Sequence, residues 1–128
     1  MISDVFDLGW EAGTDFNYGL FLGSEVVGGC GLHDRLGVTD GLEIGYWVRT
    51  GRTGRGVATT AVGALCQAAF RLGEVTHVEI HHDKANRASS RVPAKLGFRL
   101  VREIADEVYA PAEVGISCEW RLDRPTGN

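Results

Sequence analysis

Three glycines, Gly51, Gly54 and Gly56, separate a β-branched, aromatic segment from an alanine-rich one in GYWVRTGRTGRGVATTA, Gly45 to Ala61. Glycine lets a backbone turn tightly and come close to a ligand. If a helix begins directly after the loop, its first N–H groups, about Arg55 to Thr59, lack intrahelical partners. They point out of the helix end together with the positive end of its dipole, an arrangement suited to a pyrophosphate. A tight structural turn uses glycine in the same way, so the spacing alone leaves both uses open. Basic residues gather nearby: Arg49, Arg52 and Arg55 fall within seven positions, and Lys84, Arg87, Arg91 and Lys95 within twelve. In a chain of net charge −4, such concentration fits a small polyanionic ligand, against the alternative of solvated helix and loop charges.

The loop is not a nucleoside-triphosphate loop, because no lysine follows its glycines. A dinucleotide loop is harder to exclude, since Gly54-x-Gly56-x-x-Thr59 follows a strand pattern and opens a helix pattern. It departs at the third glycine, and it should lie in an early βαβ unit of a long parallel sheet. Other chemistry-bearing residues are sparse. His81 and His82 are adjacent, and His82-Asp83 offers too few ligands to support a metal, so no metal site is expected. Cys30, Cys66 and Cys118 are odd in number and far apart, which predicts reduced, structural thiols. Asp4, Asp7 and Glu11 recur at helical spacing; they would either attract a cationic acceptor or form a solvated helix face.

The elements that must position these residues can be read from pattern. Ile2 to Glu11 reads as a short helix with Ser3 as a cap. Tyr18 to Leu22 and Val26 to His33 read as a hairpin about Gly23-Ser24-Glu25. Leu42 to Arg49 (LEIGYWVR) is the strongest strand in the sequence. Val57 to Leu72 follows with Val57, Ala61, Leu65, Ala68 and Leu72 at helical intervals, and Gly73 stands where helices stop. Val75 to His81 is a strand and Asn86 to Leu96 a helix ending at Gly97. Phe98 to Tyr109 and Gly115 to Leu122 are strands joined across Ala110-Pro111-Ala112. Pro93 lies inside the second helix, removing its own N–H bond, so a kink or a freed carbonyl near Ser89 is expected. The order predicts an α/β (α+β) sandwich around a mixed sheet.

Several blocks resemble the GNAT acetyltransferases. Thr53-Gly54-Arg55-Gly56-Val57-Ala58 is similar to that family's acyl-CoA loop, [QR]-x-x-G-x-[GA], matching at Gly56 and Ala58 and departing at Thr53, with Arg52 one place early. Asn86-x-x-Ser89-x-x-Val92-x-x-Lys95-Leu96-Gly97-Phe98 and Glu43-Ile44-Gly45-Tyr46-Trp47 resemble the branch that contains the ribosomal-protein N-terminal acetyltransferases. The resemblance implies a three-layer fold in which the central strand splays from its parallel neighbour. It also implies acetyl-CoA as co-substrate, with the pyrophosphate on Thr53 to Thr59 (Thr53, Gly54, Arg55, Gly56, Val57, Ala58, Thr59). The pantetheine arm would then pair with backbone at Trp47, Val48 and Arg49, flanked by Asn86 and Ser89. Ser89 becomes the hydroxyl that serves the leaving sulfur, because the tyrosine many relatives place in that helix does not occur between Asn86 and Phe98.

An ammonium cannot attack a thioester, so the reaction needs a base. Glu43 is the first candidate: strand alternation puts it on one face with Gly45 and Trp47, and Gly45 leaves room beside its carboxylate. His81 and His82 are rivals, with a surface pair as their plain alternative, and His33 is given no role. Relatives in this branch carry a further strand and helix before the segment matching Ile2 to Leu22, so that part reads as missing. Tyr18–Leu22 would then be a sheet edge, which predicts either a homodimer or coverage by the N-terminal helix.

Composition narrows the alternatives. One domain over residues 1–128 is expected, and a hydrophobic fraction of 44% with 23% charged residues fits an ordinary globular chain. The acidic balance argues against nucleic acid as main partner. No apolar run approaches a membrane span, and the acidic start predicts no export and a cytoplasmic location. The expected function is acetyl transfer to an amine, either a protein N-terminus or a small molecule. The alternatives are a non-catalytic acyl-CoA-binding domain and a nucleotide-binding regulatory domain.

Overall fold

A computed structural model describes residues 4–11, 15–34, 36, 40–49, 56–108 and 111–126. Their order is β1 (Asp4–Glu11), β2 (Asp15–Leu22), β3 (Glu25–His33), β4 (Gly41–Val48), α1 (Val57–Arg71), β5 (His77–Asp83), α2 (Arg87–Lys95), β6 (Arg99–Ala105) and β7 (Ile116–Asp123). The strands form one seven-stranded mixed sheet in the order β1-β2-β3-β4-β5-β7-β6. Only β4 and β5 run parallel; every other neighbouring pair is antiparallel.

The first element corrects the sequence reading, because Asp4–Glu11 is a strand and not a helix. It pairs antiparallel with β2, with a register shift between Asp7 and Gly9. The helical spacing of Asp4, Asp7 and Glu11 therefore defines no helix face. Tyr18–Leu22 is correspondingly no sheet edge: β1 occupies that side of β2, and the reason for expecting a helix or a second copy there falls away. The β2–β3 hairpin closes as expected, through Gly23 at φ +60° between the paired Leu22 and Glu25.

Both helices lie on one face of the sheet and touch each other. Helix α1 buries Val57, Ala61, Val62, Leu65, Cys66 and Ala69, so its stripe drifts to Ala69 instead of Ala68 and Leu72, which are exposed. Leu20, Val27, Ile44, Val78 and Ile80 meet it from the sheet, fully buried. Each such side chain contributes roughly 1.5–3 kcal/mol, which makes this layer the main source of stability. Arg124 closes the far end of α1, donating to the carbonyls of Phe70 at 2.7 Å and Leu72 at 2.9 Å. A cation there complements the helix dipole. The three cysteines are free and buried, and burial pushes the Cys30 and Cys66 thiols up to about 11.

The end of α2 explains the Lys-Leu-Gly-Phe segment, whose lysine is the last residue of the helix. Gly97 takes φ +85°, Phe98 N–H reaches back to the Pro93 carbonyl at 3.0 Å, and Gly97 N–H reaches Ala94 at 3.4 Å. This pair of hydrogen bonds is the glycine-dependent helix stop. Phe98 is thereby turned into the core, 5% exposed.

Candidate active site

The pairing of the two parallel strands is brief. Gly41, Leu42 and Glu43 register against His77, Val78 and Glu79, and there it ends. Strand β4 runs on to Val48 and β5 to Asp83, so the sheet forks immediately beyond Glu43. On its other side β4 stays bonded to β3 throughout, up to the Gly28–Val48 pair and the Arg49 N–H to Val27 carbonyl bond of 2.8 Å. Backbone on the β5 side of Ile44 to Val48 thus has no strand neighbour among the described residues.

Helix α1 begins beside this fork. Gly56, at φ +73°, is its N-cap; no side chain caps the end and no acidic residue lies in the first turn. Thr60 N–H closes the turn on the Gly56 carbonyl at 2.9 Å, which leaves the amides of Val57, Ala58 and Thr59 without helical acceptors. A left-handed φ of this kind is the reason position 56 is glycine.

The start of α2 forms the opposite wall. Asn86 is its N-cap and accepts from Ser89 N–H at 3.2 Å. The turn before it is held by Asp83, whose carboxylate accepts from the N–H groups of Ala85 at 2.8 Å and Gly115 at 3.0 Å. Desolvation works to raise the Asp83 pKa, but these backbone donors outweigh it and hold the carboxyl below its ordinary range. Between the walls lies a cavity of about 390 Å³. It collects most of the residues expected to hold a cofactor: Trp47 and Val48 of β4, Gly56, Val57, Ala58 and Thr59 at α1, and Asn86 and Ser89 at α2. Arg49 stands outside it, exposed and 3.4 Å from Glu25. Thr53, Gly54 and Arg55, with Arg52, lie outside the described residues. Arg91 and Lys95 of the second basic segment line the cavity, whereas Lys84 pairs with Glu103 at 2.9 Å.

Tyr46, to which the sequence analysis assigned no site role, also lines the cavity. Its hydroxyl donates to the Ser89 carbonyl at 2.7 Å, and burial pushes its pKa up to about 12. The freed carbonyl expected from Pro93 is this one.

The opposite face of the sheet bears no helix among the described residues, and it carries the titratable groups. Glu43, His81, Glu79 and Glu119 converge on it, from β4, β5 and β7. His81 Nε2 lies 2.7 Å from Glu79 Oε1; a carboxylate only accepts, so Nε2 carries the proton. Nδ1 then faces Glu119 Oε2 at 3.7 Å and Glu43 Oε2 at 4.0 Å. Arg102 donates to Glu79 at 2.8 Å and also to Glu119, supplying the cation these buried carboxylates require. Glu79, His81 and Glu119 sit close enough to hold a metal ion, but the Arg102 guanidinium already bridges the two carboxylates. Desolvation works to raise Glu79, and the hydrogen bond from His81 together with the Arg102 charge outweighs it, so its carboxyl lies below the ordinary range.

His81 and His82 are therefore not a surface pair. His82 Nε2 accepts from the Trp120 indole at 2.9 Å, and its Nδ1 lies 2.8 Å from the Asp83 carbonyl, to which it must donate. Both nitrogens are engaged, so of the adjacent pair it is His81 that faces Glu43, while His33 pairs with Glu43 across the β3–β4 ladder. Glu43, Gly45 and Trp47 do share a face. Gly45 lies against His33, whose Nε2 would be 3.3 Å from any added Cβ. The Trp47 indole lies over Gly29, where a Cβ would come within 2.5 Å of Nε1.

A family model for the acetyltransferase (GNAT) domain matches residues 2–99. The chain belongs to the GNAT acetyltransferase family. Among curated proteins this GNAT domain is 32% identical over 91 residues to YdaF of Bacillus subtilis (strain 168), provisionally named a ribosomal N-acetyltransferase. The match covers 71% of this chain and 50% of YdaF, so the GNAT domain spans about half the length of that relative. Among solved structures it superposes on Mycobacterium smegmatis RimJ in complex with a CoA-disulfide, at TM-score 0.75 and 24% identity, over 87% of this chain and 54% of RimJ. It also superposes on the aminoglycoside acetyltransferase AAC(6′)-Ib in complex with coenzyme A, at TM-score 0.71 and 22% identity, over 87% and 67% of the two chains. At such identities these two likenesses establish a shared fold. The fork between β4 and β5 is the splay that the GNAT resemblance implied. No helix among the described residues is long and apolar enough to cross a membrane.

Proposed function

We propose that residues 1–128 form one acetyltransferase domain that binds acetyl-CoA in the β4–β5 fork and passes the acetyl group to an amine by direct attack. One observation carries this reading. The uncapped, acid-free start of α1 opens into the same 390 Å³ cavity as the unpaired edge of β4. Anion and amide recognition are thus offered side by side, as a long ligand with a pyrophosphate at one end and an amide-bearing arm at the other requires.

On this reading the amides of Val57, Ala58 and Thr59 receive the pyrophosphate, preceded by Thr53, Gly54, Arg55 and Gly56. Trp47 and Val48 offer backbone to the arm, Arg49 having its N–H on the Val27 carbonyl and standing outside the cavity, and Asn86 and Ser89 stand where the arm ends. Acetyl-CoA supplies an activated acyl carbon. The chain's own part is to orient it, to hold an amine in line and to take up a proton. The amine comes from the face opposite the helices, where Glu43 stands at the tip of the fork with its side chain 19% exposed. Glu43 takes the amine proton, directly or through water, and the Ser89 hydroxyl serves the departing sulfur.

The curated relative's name points to a protein N-terminus and the AAC(6′)-Ib structure to an aminoglycoside, so both acceptor classes belong in the test. That test is release of free thiol from acetyl-CoA across a panel of N-terminal peptides, alkyl amines and aminoglycosides. Turnover with one class supports the reading. Binding of acetyl-CoA without thiol release from any amine would make the domain a non-catalytic acyl-CoA binder, and preference for NAD or ATP over coenzyme A would overturn the proposal.

A further inference from the structure

Pro93 lies in the second turn of α2, fully buried, and cannot donate the bond that residue 93 would otherwise make to the Ser89 carbonyl. A helical carbonyl without its partner must find another or stay costly. The partner comes from across the cavity: Tyr46 Oη, 43 residues earlier in the chain, donates to Ser89 O at 2.7 Å. The N–H of the same residue is taken by the Asn86 side chain at 3.2 Å. Ser89 is therefore held at both backbone groups, by the cap on one side and by β4 on the other. No other side-chain hydrogen bond of the described residues joins β4 to α2, and it crosses the fork where the sheet has stopped pairing.

We propose that Tyr46 is a positioning residue, which fixes the first turn of α2 at the separation from β4 that acetyl-CoA requires. Proline at 93 and tyrosine at 46 act as one device, the first exposing an acceptor and the second engaging it. Without the hydroxyl, the turn carrying Asn86 and Ser89 samples other separations, and only a fraction of molecules is competent to bind. Apparent affinity falls by that fraction. The inference rests on the reading of the fork as the acetyl-CoA site.

Calorimetry with acetyl-CoA on the full chain tests it, using wild type, Tyr46→Phe, Pro93→Val and the double variant. A net hydrogen bond of about 0.5–1.5 kcal/mol corresponds to a weakening of about two- to thirteenfold for Tyr46→Phe. Valine nearly conserves the volume of proline and restores an N–H to the Ser89 carbonyl. In the Pro93→Val background, Tyr46→Phe should therefore cost less than about twofold. Thermal unfolding is followed in parallel, because a merely structural bond would lower Tm and leave affinity unmoved. Unchanged affinity in Tyr46→Phe, or the same loss in both backgrounds, overturns the proposal. Should Pro93→Val and Pro93→Ala both fail to fold, the Tyr46→Phe affinity decides alone. Failure of the wild type to bind acetyl-CoA would refute the underlying reading instead, and the wild-type titration shows this by itself.

Discussion

Replacing Glu43 by glutamine keeps the shape of the side chain and removes its capacity to take a proton. The expected loss follows from the acceptor as much as from the enzyme. An alkyl amine with an ordinary pKa of about 10.4 is neutral in about one molecule in 2,500 at pH 7, whereas a terminal α-amine of pKa about 7.8 is neutral in about one in seven. A base that removes this handicap is worth up to roughly 10³ for the first and about tenfold for the second. General-base catalysis in the transition state adds to either, and its usual range is about 10²–10⁴. Initial rates of thiol release at pH 7 should therefore fall at least about 10²-fold in Glu43→Gln. For an alkyl amine the deficit should shrink about tenfold per pH unit up to pH 9. Affinity for acetyl-CoA should not change, because the carboxylate lies on the face opposite the helices and the cavity. His81 Nδ1, 4.0 Å from Glu43 Oε2, is placed to substitute, and His33 stands opposite Glu43 across the β3–β4 ladder. Near-normal turnover of Glu43→Gln at pH 7 would refute the assignment and move the role to His81 or to water.

Gly56→Asp should abolish detectable acetyl-CoA binding while the domain still folds. It sets an anion at the helix start and strains a φ of +73°, and Gly56→Ala, which carries the strain alone, separates the two causes by calorimetry. Arg102→Leu leaves Glu79 and Glu119, 5% and 7% exposed, without their cation. Because Arg102 itself is half-exposed the loss is about 1–3 kcal/mol, a fall in Tm of about 4–11 °C by calorimetric scanning. Folding depresses the carboxyl pKa of both Glu79 and Asp83, so the stability they confer is fully present above the ordinary carboxylate pKa of about 4. It is lost as pH falls through their lowered folded values. Denaturant midpoints measured from pH 6 to pH 2 should show this decline, and Asp83→Asn should flatten it.

Local chemistry and period revealed the glycine-led helix, the helix stop at Gly97, the Pro93 carbonyl and the shared face of Glu43, Gly45 and Trp47. These depend on residues within a few positions of one another. The first strand was misread because a register shift between Asp7 and Gly9 breaks its two-residue alternation, and the surviving Val5–Leu8 interval imitates a helix. Pairing with β2, rather than intrinsic pattern, decides that segment. The Glu79–His81–Arg102–Glu119 network lay beyond reach for a related reason. Its members come from three strands up to 40 residues apart and meet only once the β5–β7 and β6–β7 registers are set. Tyr46 was legible in half: the proline announced an acceptor, but nothing in the order of residues named the donor 43 positions away.

The three-pair seam between β4 and β5 has a mechanical consequence. On either side of it the strands form antiparallel ribbons, β1 to β4 and β5 to β7, each laced along nearly its whole length. The seam is where the sheet carries fewest rungs, so sub-global opening should begin there and leave each ribbon largely intact. Slow-exchanging amides would then sort into two blocks that exchange independently of each other. A molecule lying across the fork would act as an additional rung, merging the two blocks into one cooperative unit. Ligand-induced protection would therefore appear in β6 and β7, far from any contact, as a sign that the halves had been tied together.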